Sequence, residues 1–124
     1  MPMTTTMPDA SNHKRGDVVL VLFPHSNLRT AKLRPALIVQ ANGLDTGLTQ
    51  VIVAMITSRT ARANHPSRVI VKLNSSRGQN SGLLADSVVM TDNLATITEL
   101  AIERAIGEIP MQAVDKALKH TLGL

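Results

Sequence analysis

Apolar residues in this chain come in short β-branched runs separated by turn formers, and only the last stretch switches to a helical period. Val18-Val19-Leu20-Val21-Leu22-Phe23 predicts a first strand, fed by the turn Lys14-Arg15-Gly16-Asp17 and ended by Pro24. Further strands are expected over 35–40, 50–56 and 68–73, the last with period-two alternation at its ends. A strand over 83–90 and another over 95–98 would be joined by a tight turn at Asp92-Asn93. Ile106, Gly107 and Ile109 mark a last short strand. Polar connections fall at 25–33, 59–66 and 74–82. Met111, Val114, Leu118 and Leu122 then recur at helical spacing beside Ala113 and Ala117, with Pro110 in the first turn and Gly123 as the cap. Short strands with one terminal helix predict a mainly β, α+β fold, a small barrel whose open end the helix covers. Residues 1–13 lack periodicity and read as a flexible leader, leaving 14–124 as one domain.

Composition narrows the chemistry. Phe23 is the sole aromatic among Phe, Trp and Tyr, so a base-stacking aromatic platform is excluded and the core must be aliphatic. No cysteine is present, which removes disulfides, thiolate metal sites and thiol nucleophiles and points to a reducing cytoplasm. No apolar run approaches membrane-spanning length. The four histidines show no ligand spacing with carboxylates, so neither a metal nor another cofactor is expected. Charge is unevenly placed. Residues 14–77 hold ten of the thirteen Lys and Arg but only Asp17 and Asp45 as acids, while the remainder holds three basic and seven acidic residues. A basic portion beside an acidic one predicts a polyanion on one surface and a different partner on another.

The sharpest local feature is Lys32-Leu33-Arg34-Pro35-Ala36-Leu37-Ile38-Val39, a basic loop joined to a buried strand. Pro35 removes a donor and biases Arg34 toward extended geometry. A guanidinium held at the mouth of a rigid strand matches phosphate oxygens, so nucleic acid is the first substrate class. The loop before it carries His25, Ser26, Arg29, Thr30 and Lys32, and a second basic loop carries Arg59 and Arg62, with Arg68 just beyond. These cations would track a phosphate backbone. His65, ahead of Pro66, reads as a loop residue.

Several patterns fall in one order: Arg15-Gly16-Asp17-Val18-Val19, Phe23-Pro24, Arg34-Pro35-Ala36-Leu37-Ile38-Val39, Thr57-Ser58, Gly82-Leu83-Leu84 with Asp86-Ser87-Val88, Thr96-Ile97, and Ile106-Gly107. Over 14–122 this set resembles the MazF/PemK family of toxin–antitoxin ribonucleases. The resemblance implies an SH3-like barrel with a C-terminal helix, a homodimer, metal-free cleavage of single-stranded RNA, and inhibition by a cognate antitoxin lying across the RNA surface. It matches Arg34 to the active-site arginine before proline, Thr57 to the active-site threonine, Ser58 to its small polar neighbour, and Asp92 to a catalytic acidic position. Ser26, Arg29, Thr30, Lys32, Ser58 and Arg59 are then expected to contact RNA. Two positions depart: Met90 and Ala95 stand where arginines occur in members of the family.

RNA supplies its own nucleophile. A base must deprotonate the 2′-hydroxyl, a cation must stabilise the phosphorane, and the leaving 5′-oxygen must gain a proton. The expected products are 2′,3′-cyclic phosphate and 5′-hydroxyl ends. Arg34 suits electrostatic stabilisation, since it does not give up its proton. Thr57 suits a hydrogen bond to a phosphate oxygen, and Asp92 suits the base. Two rival expectations are a gyrase-poisoning toxin of the related CcdB type, against which the absence of Trp speaks, and a non-cleaving RNA-binding module, which Met90 and Ala95 favour.

Overall fold

The structure, a computed structural model, describes residues 13–24 and 29–124. Most of the expected leader, together with His25 and Ser26, lies outside the described residues. Six antiparallel strands form one sheet: β1 (Asp17–Pro24), β2 (Ala31–Ile38), β3 (Gln50–Thr57), β4 (Arg68–Val71), β5 (Ser87–Thr98) and β6 (Ile102–Glu108). Among the described residues one α-helix, α1 (Gln112–Leu122), follows. The strands stand in the order β4-β5-β3-β2-β1-β6, so β4 and β6 are its two edges. Ladder pairing does not close the sheet into a barrel. The loop between β4 and β5 spans the gap, with the Glu108 N–H donating to the Asn80 carbonyl at 2.8 Å. Gly82, at φ +72°, lets that loop pass so close to β6 that an added Cβ would run into the Ile106 carbonyl.

The sheet is apolar on both faces, as near-continuous Val/Ile/Leu strands require. One face buries Val18, Leu37, Ala54, Ile56, Val69, Val71 and Val89 against Val114 and Ala117 of α1. The other gathers Val19, Val21, Ala36, Ile38, Val51, Val53 and Ile97, with Phe23 and Met55 partly buried against them. Adjacent residues such as Val18 and Val19 serve opposite faces because side chains alternate along a strand.

The helix ends as expected at Gly123, which is left-handed at φ 71° and donates to the His120 and Lys119 carbonyls. Pro110 is not in the first turn; the helix starts at Gln112, two residues later. Four strand expectations are corrected. β2 begins at Ala31, because 31–34 pair with β1 up to Pro24↔Ala31 and so extend the hairpin into the supposed loop. The fourth strand stops at Val71, where Leu73 instead donates its N–H to Asp86. Most substantially, the two strands at 83–90 and 95–98 are one strand, β5, which starts at Ser87. Asp92-Asn93 is no hairpin turn: Met55 pairs with Met90 and Ala54 with Leu94, so residues 91–93 bulge from a continuous ladder. β6 is longer than the short strand foreseen, running from Ile102 to Glu108.

Candidate active site

The face opposite α1 carries the candidate residues. Arg34 pairs with Val21 in the β1–β2 hairpin and shares the alternation of Ala36 and Ile38, which places it on that face, at its open end beyond the buried Ala36. Lys32, two residues earlier and opposite Phe23, points the same way. β2 and β3 pair at Ile38↔Val53, Leu37↔Ala54 and Ala36↔Met55, and the ladder stops there. Continued, it would set Arg34 opposite Thr57. Pro35, next in line, has no N–H to extend it. Past that point β2 and β3 run on without pairing to each other, which leaves a gap in the ladder with Arg34 on one strand and Thr57 at the end of the other.

Arg34 is exposed and, among the described residues, has no carboxylate partner. Thr57 is half-buried at the end of β3, and its Oγ1 accepts the Arg59 N–H at 3.2 Å. That bond leaves the hydroxyl proton of Thr57 available to a phosphate oxygen. Ser58 and Arg59 follow on the exposed approach to a short 3-10 turn, Thr60–Ala63. Arg29 and Thr30 are exposed just ahead of β2. The fold thus brings Arg34, Lys32, Thr57, Ser58 and Arg59 together around one strand junction.

Asp92 stands apart from them. It lies in the β5 bulge, two strands from β2, a backbone separation on the order of 10 Å at ordinary strand spacing. Its carboxylate is already engaged. Arg68 of β4 donates from Nη2 to Oδ2 at 2.8 Å and from Nε to Oδ1 at 3.4 Å. Arg68 sits directly opposite Met90 in the ladder, so the pair belongs to the same open face as Met55 and Arg34. The hydrogen bond from Arg68 is the main cause holding the Asp92 carboxyl below its ordinary range; the charge of nearby His65 adds to it. Arg68 also donates from Nη1 to the Arg62 carbonyl at 3.2 Å. Sequence reasoning took Arg68 as a backbone contact and Asp92 as an isolated acid. The pairing spans 24 residues, and only the register across β4 and β5 reveals it.

His65 accepts the Ser67 N–H at Nδ1 (3.1 Å) and meets the His120 ring edge-on at 6.2 Å. Thr91 donates to the Ser67 carbonyl at 2.6 Å and shares a 2.7 Å hydrogen bond with Thr121, tying the helix end to the turn before β4. Among the described residues no three His, Asp or Glu side chains converge on a common point. Nor is any helix there long and apolar enough to cross a membrane.

The class is set by the fold. The chain superposes on an endoribonuclease in complex with its cognate antitoxin from a mycobacterial species, with a TM-score of 0.70 over 90% of this chain and 96% of that one at 24% identity. It also superposes on the Mycobacterium tuberculosis toxin MazF-mt6, with a TM-score of 0.66 over 87% and 97% of the two chains at 27% identity. In sequence, the endoribonucleases MazF2 of Mycobacterium bovis and MazF6 of Mycobacterium tuberculosis are each 35% identical over 107 residues, or 83% of this chain and 90% of theirs. The family of PemK-like, MazF-like toxins of type II toxin–antitoxin systems matches residues 14–122. The chain belongs to that family and is a MazF-type toxin endoribonuclease.

Proposed function

We propose that this toxin cuts single-stranded messenger RNA at selected sequences without a metal, acting in the cytoplasm as a homodimer until a cognate antitoxin covers its RNA surface. In this reading the sheet and its spanning loop work as an SH3-like barrel. The observation that carries the proposal is Arg34: an exposed guanidinium with no carboxylate partner among the described residues, on the strand next to the one that Thr57 ends.

Chemistry follows from that placement. The scissile phosphodiester sits in the gap, where Arg34 matches the two non-bridging phosphate oxygens and Thr57 donates to one of them. The 2′-oxygen attacks phosphorus, its proton passes to Asp92, and the P–O5′ bond breaks as the leaving oxygen takes a proton from solvent, Asp92 returning its own to solvent. Negative charge accumulates on the equatorial oxygens during this step, and Arg34 stabilises it more strongly there than in the ground state. Lys32, Ser58 and Arg59, with Ser26, Arg29 and Thr30, hold the flanking backbone.

The test is incubation of the purified full chain with a long single-stranded RNA in excess EDTA, followed by end mapping. Cuts at a recurring sequence with 2′,3′-cyclic phosphate and 5′-hydroxyl ends are expected. Cleavage only after magnesium is restored would refute the metal-free mechanism. A second reading, RNA binding without cleavage, is favoured by the engagement of both Asp92 oxygens with Arg68. Bound but intact RNA would establish it, and intact RNA with gyrase inhibition would instead establish the CcdB-type activity.

A further inference from the structure

We infer that Arg68 is a positioning residue of this site, clamping both oxygens of Asp92 so that the carboxylate stands fixed on the sheet face that carries Arg34 and Thr57. The inference rests on the proposed base role of Asp92. Residues 91–93 bulge out of the β3–β5 ladder, so no β3 residue stands paired beside Asp92. Arg68 supplies a constraint from the neighbouring strand. It approaches with a side-on fork, Nη2 to Oδ2 at 2.8 Å and Nε to Oδ1 at 3.4 Å, while Nη1 is anchored on the Arg62 carbonyl. Three contacts on one planar group fix its orientation, and a fork on a carboxylate fixes the partner's plane as well.

The groups facing Asp92 are few. Arg68 comes from β4 and His65 from the turn before it, and His120 of α1 stands edge-on to the His65 ring. Arg62 faces the cluster through its carbonyl. Arg68 is therefore the dominant cation, and its bond to Asp92 favours the ionised form that a base needs. A general base held ionised stays competent at lower pH, at some cost in proton affinity.

The experiment is a pH–rate profile of kcat on single-stranded RNA in excess chelator, for the full chain and for Arg68→Gln, Arg68→Lys and Asp92→Asn. In the unsubstituted protein the acidic limb should lie below the ordinary carboxylate range. Arg68→Gln should move that limb upward toward the ordinary range and lower kcat at neutral pH about tenfold, with KM little changed. Arg68→Lys keeps the charge without the fork, so it should retain the low limb but not the full rate; it carries the test if the glutamine variant folds poorly. Asp92→Asn should abolish the limb. An unaltered profile in both Arg68 variants, with Asp92→Asn inactive, overturns the clamp and leaves the base assignment standing. Full activity of Asp92→Asn overturns both.

Discussion

Arg15 and Arg34 both head strong sequence patterns, and the fold uses them in opposite ways. Arg15 donates from Nε to the Val39 carbonyl at 3.0 Å and from Nη2 to Asp115 of α1 at 2.6 Å, while its backbone N–H reaches Asn42 at 2.8 Å. It thereby staples the first turn to the end of β2 and to the helix. Arg34, on the same β2 but on the other face, has no carboxylate partner among the described residues and stays exposed. A guanidinium with its donors occupied at a helix–sheet corner holds architecture together. One that has kept its donors, at the edge of a strand gap, is prepared for an anion from outside. The difference lies in partners and not in the residue type or in how prominent its motif is.

The largest effect that could break this contrast is on chemistry. Arg34→Ala should lower cleavage by about a hundredfold to a thousandfold, as removal of a donor aimed at developing charge does. Because the side chain is exposed and has no carboxylate partner among the described residues, the unfolding free energy should move by less than about 0.5 kcal/mol. A variant that cuts RNA at the normal rate, or one that unfolds readily, would show Arg34 to be structural after all. Arg15→Ala should do the reverse. Loss of two charge-assisted hydrogen bonds costs about 1–2 kcal/mol, at the low end because the Asp115 side chain is 47% exposed. That corresponds to a fall of several degrees in Tm for a domain of this size, roughly 4 °C or more. The cleavage rate per folded molecule should stay unchanged, and a specific loss of rate would erase the distinction between the two arginines.

What the sequence made legible follows the same division. Strands built from Val18-Val19, Ala36-Leu37-Ile38 and Val51-Ile52-Val53 were readable because both faces of the sheet are buried, so their apolar runs are unbroken. The start of β2 was hidden because 31–34 pair only with β1, beyond the end of the β3 ladder, and all four residues are exposed. A polar ribbon of that kind looks like a loop. Asp92-Asn93 has the same chemistry in a hairpin turn as in a bulge, and only the count of residues opposite β3 separates the two. Arg34 could be singled out because it stands before a proline and an apolar run, whereas Thr57 closes the run that makes β3. The Arg68–Asp92 pair could not, since it exists only once Arg68 and Met90 are in register.

The smallest expected effect tests how far the open face extends as an RNA track. Lys32 lies two residues before Arg34 on the same side of β2, exposed beside Phe23, and it too has no carboxylate partner among the described residues. Its role differs from that of Arg34 because it stands beyond the gap facing Thr57, where a neighbouring phosphate would pass. A single phosphate contact on single-stranded nucleic acid contributes about 0.7 to the slope of log K against log salt. Lys32→Ala should therefore flatten the salt dependence of binding to a non-cleavable 2′-O-methyl RNA by about that amount. At saturating RNA its cleavage rate should stay close to normal, because a backbone contact made equally in ground and transition states lowers KM without raising kcat. An unchanged salt slope would remove Lys32 from the track, and a fall in kcat would place it with Arg34 at the reacting phosphate.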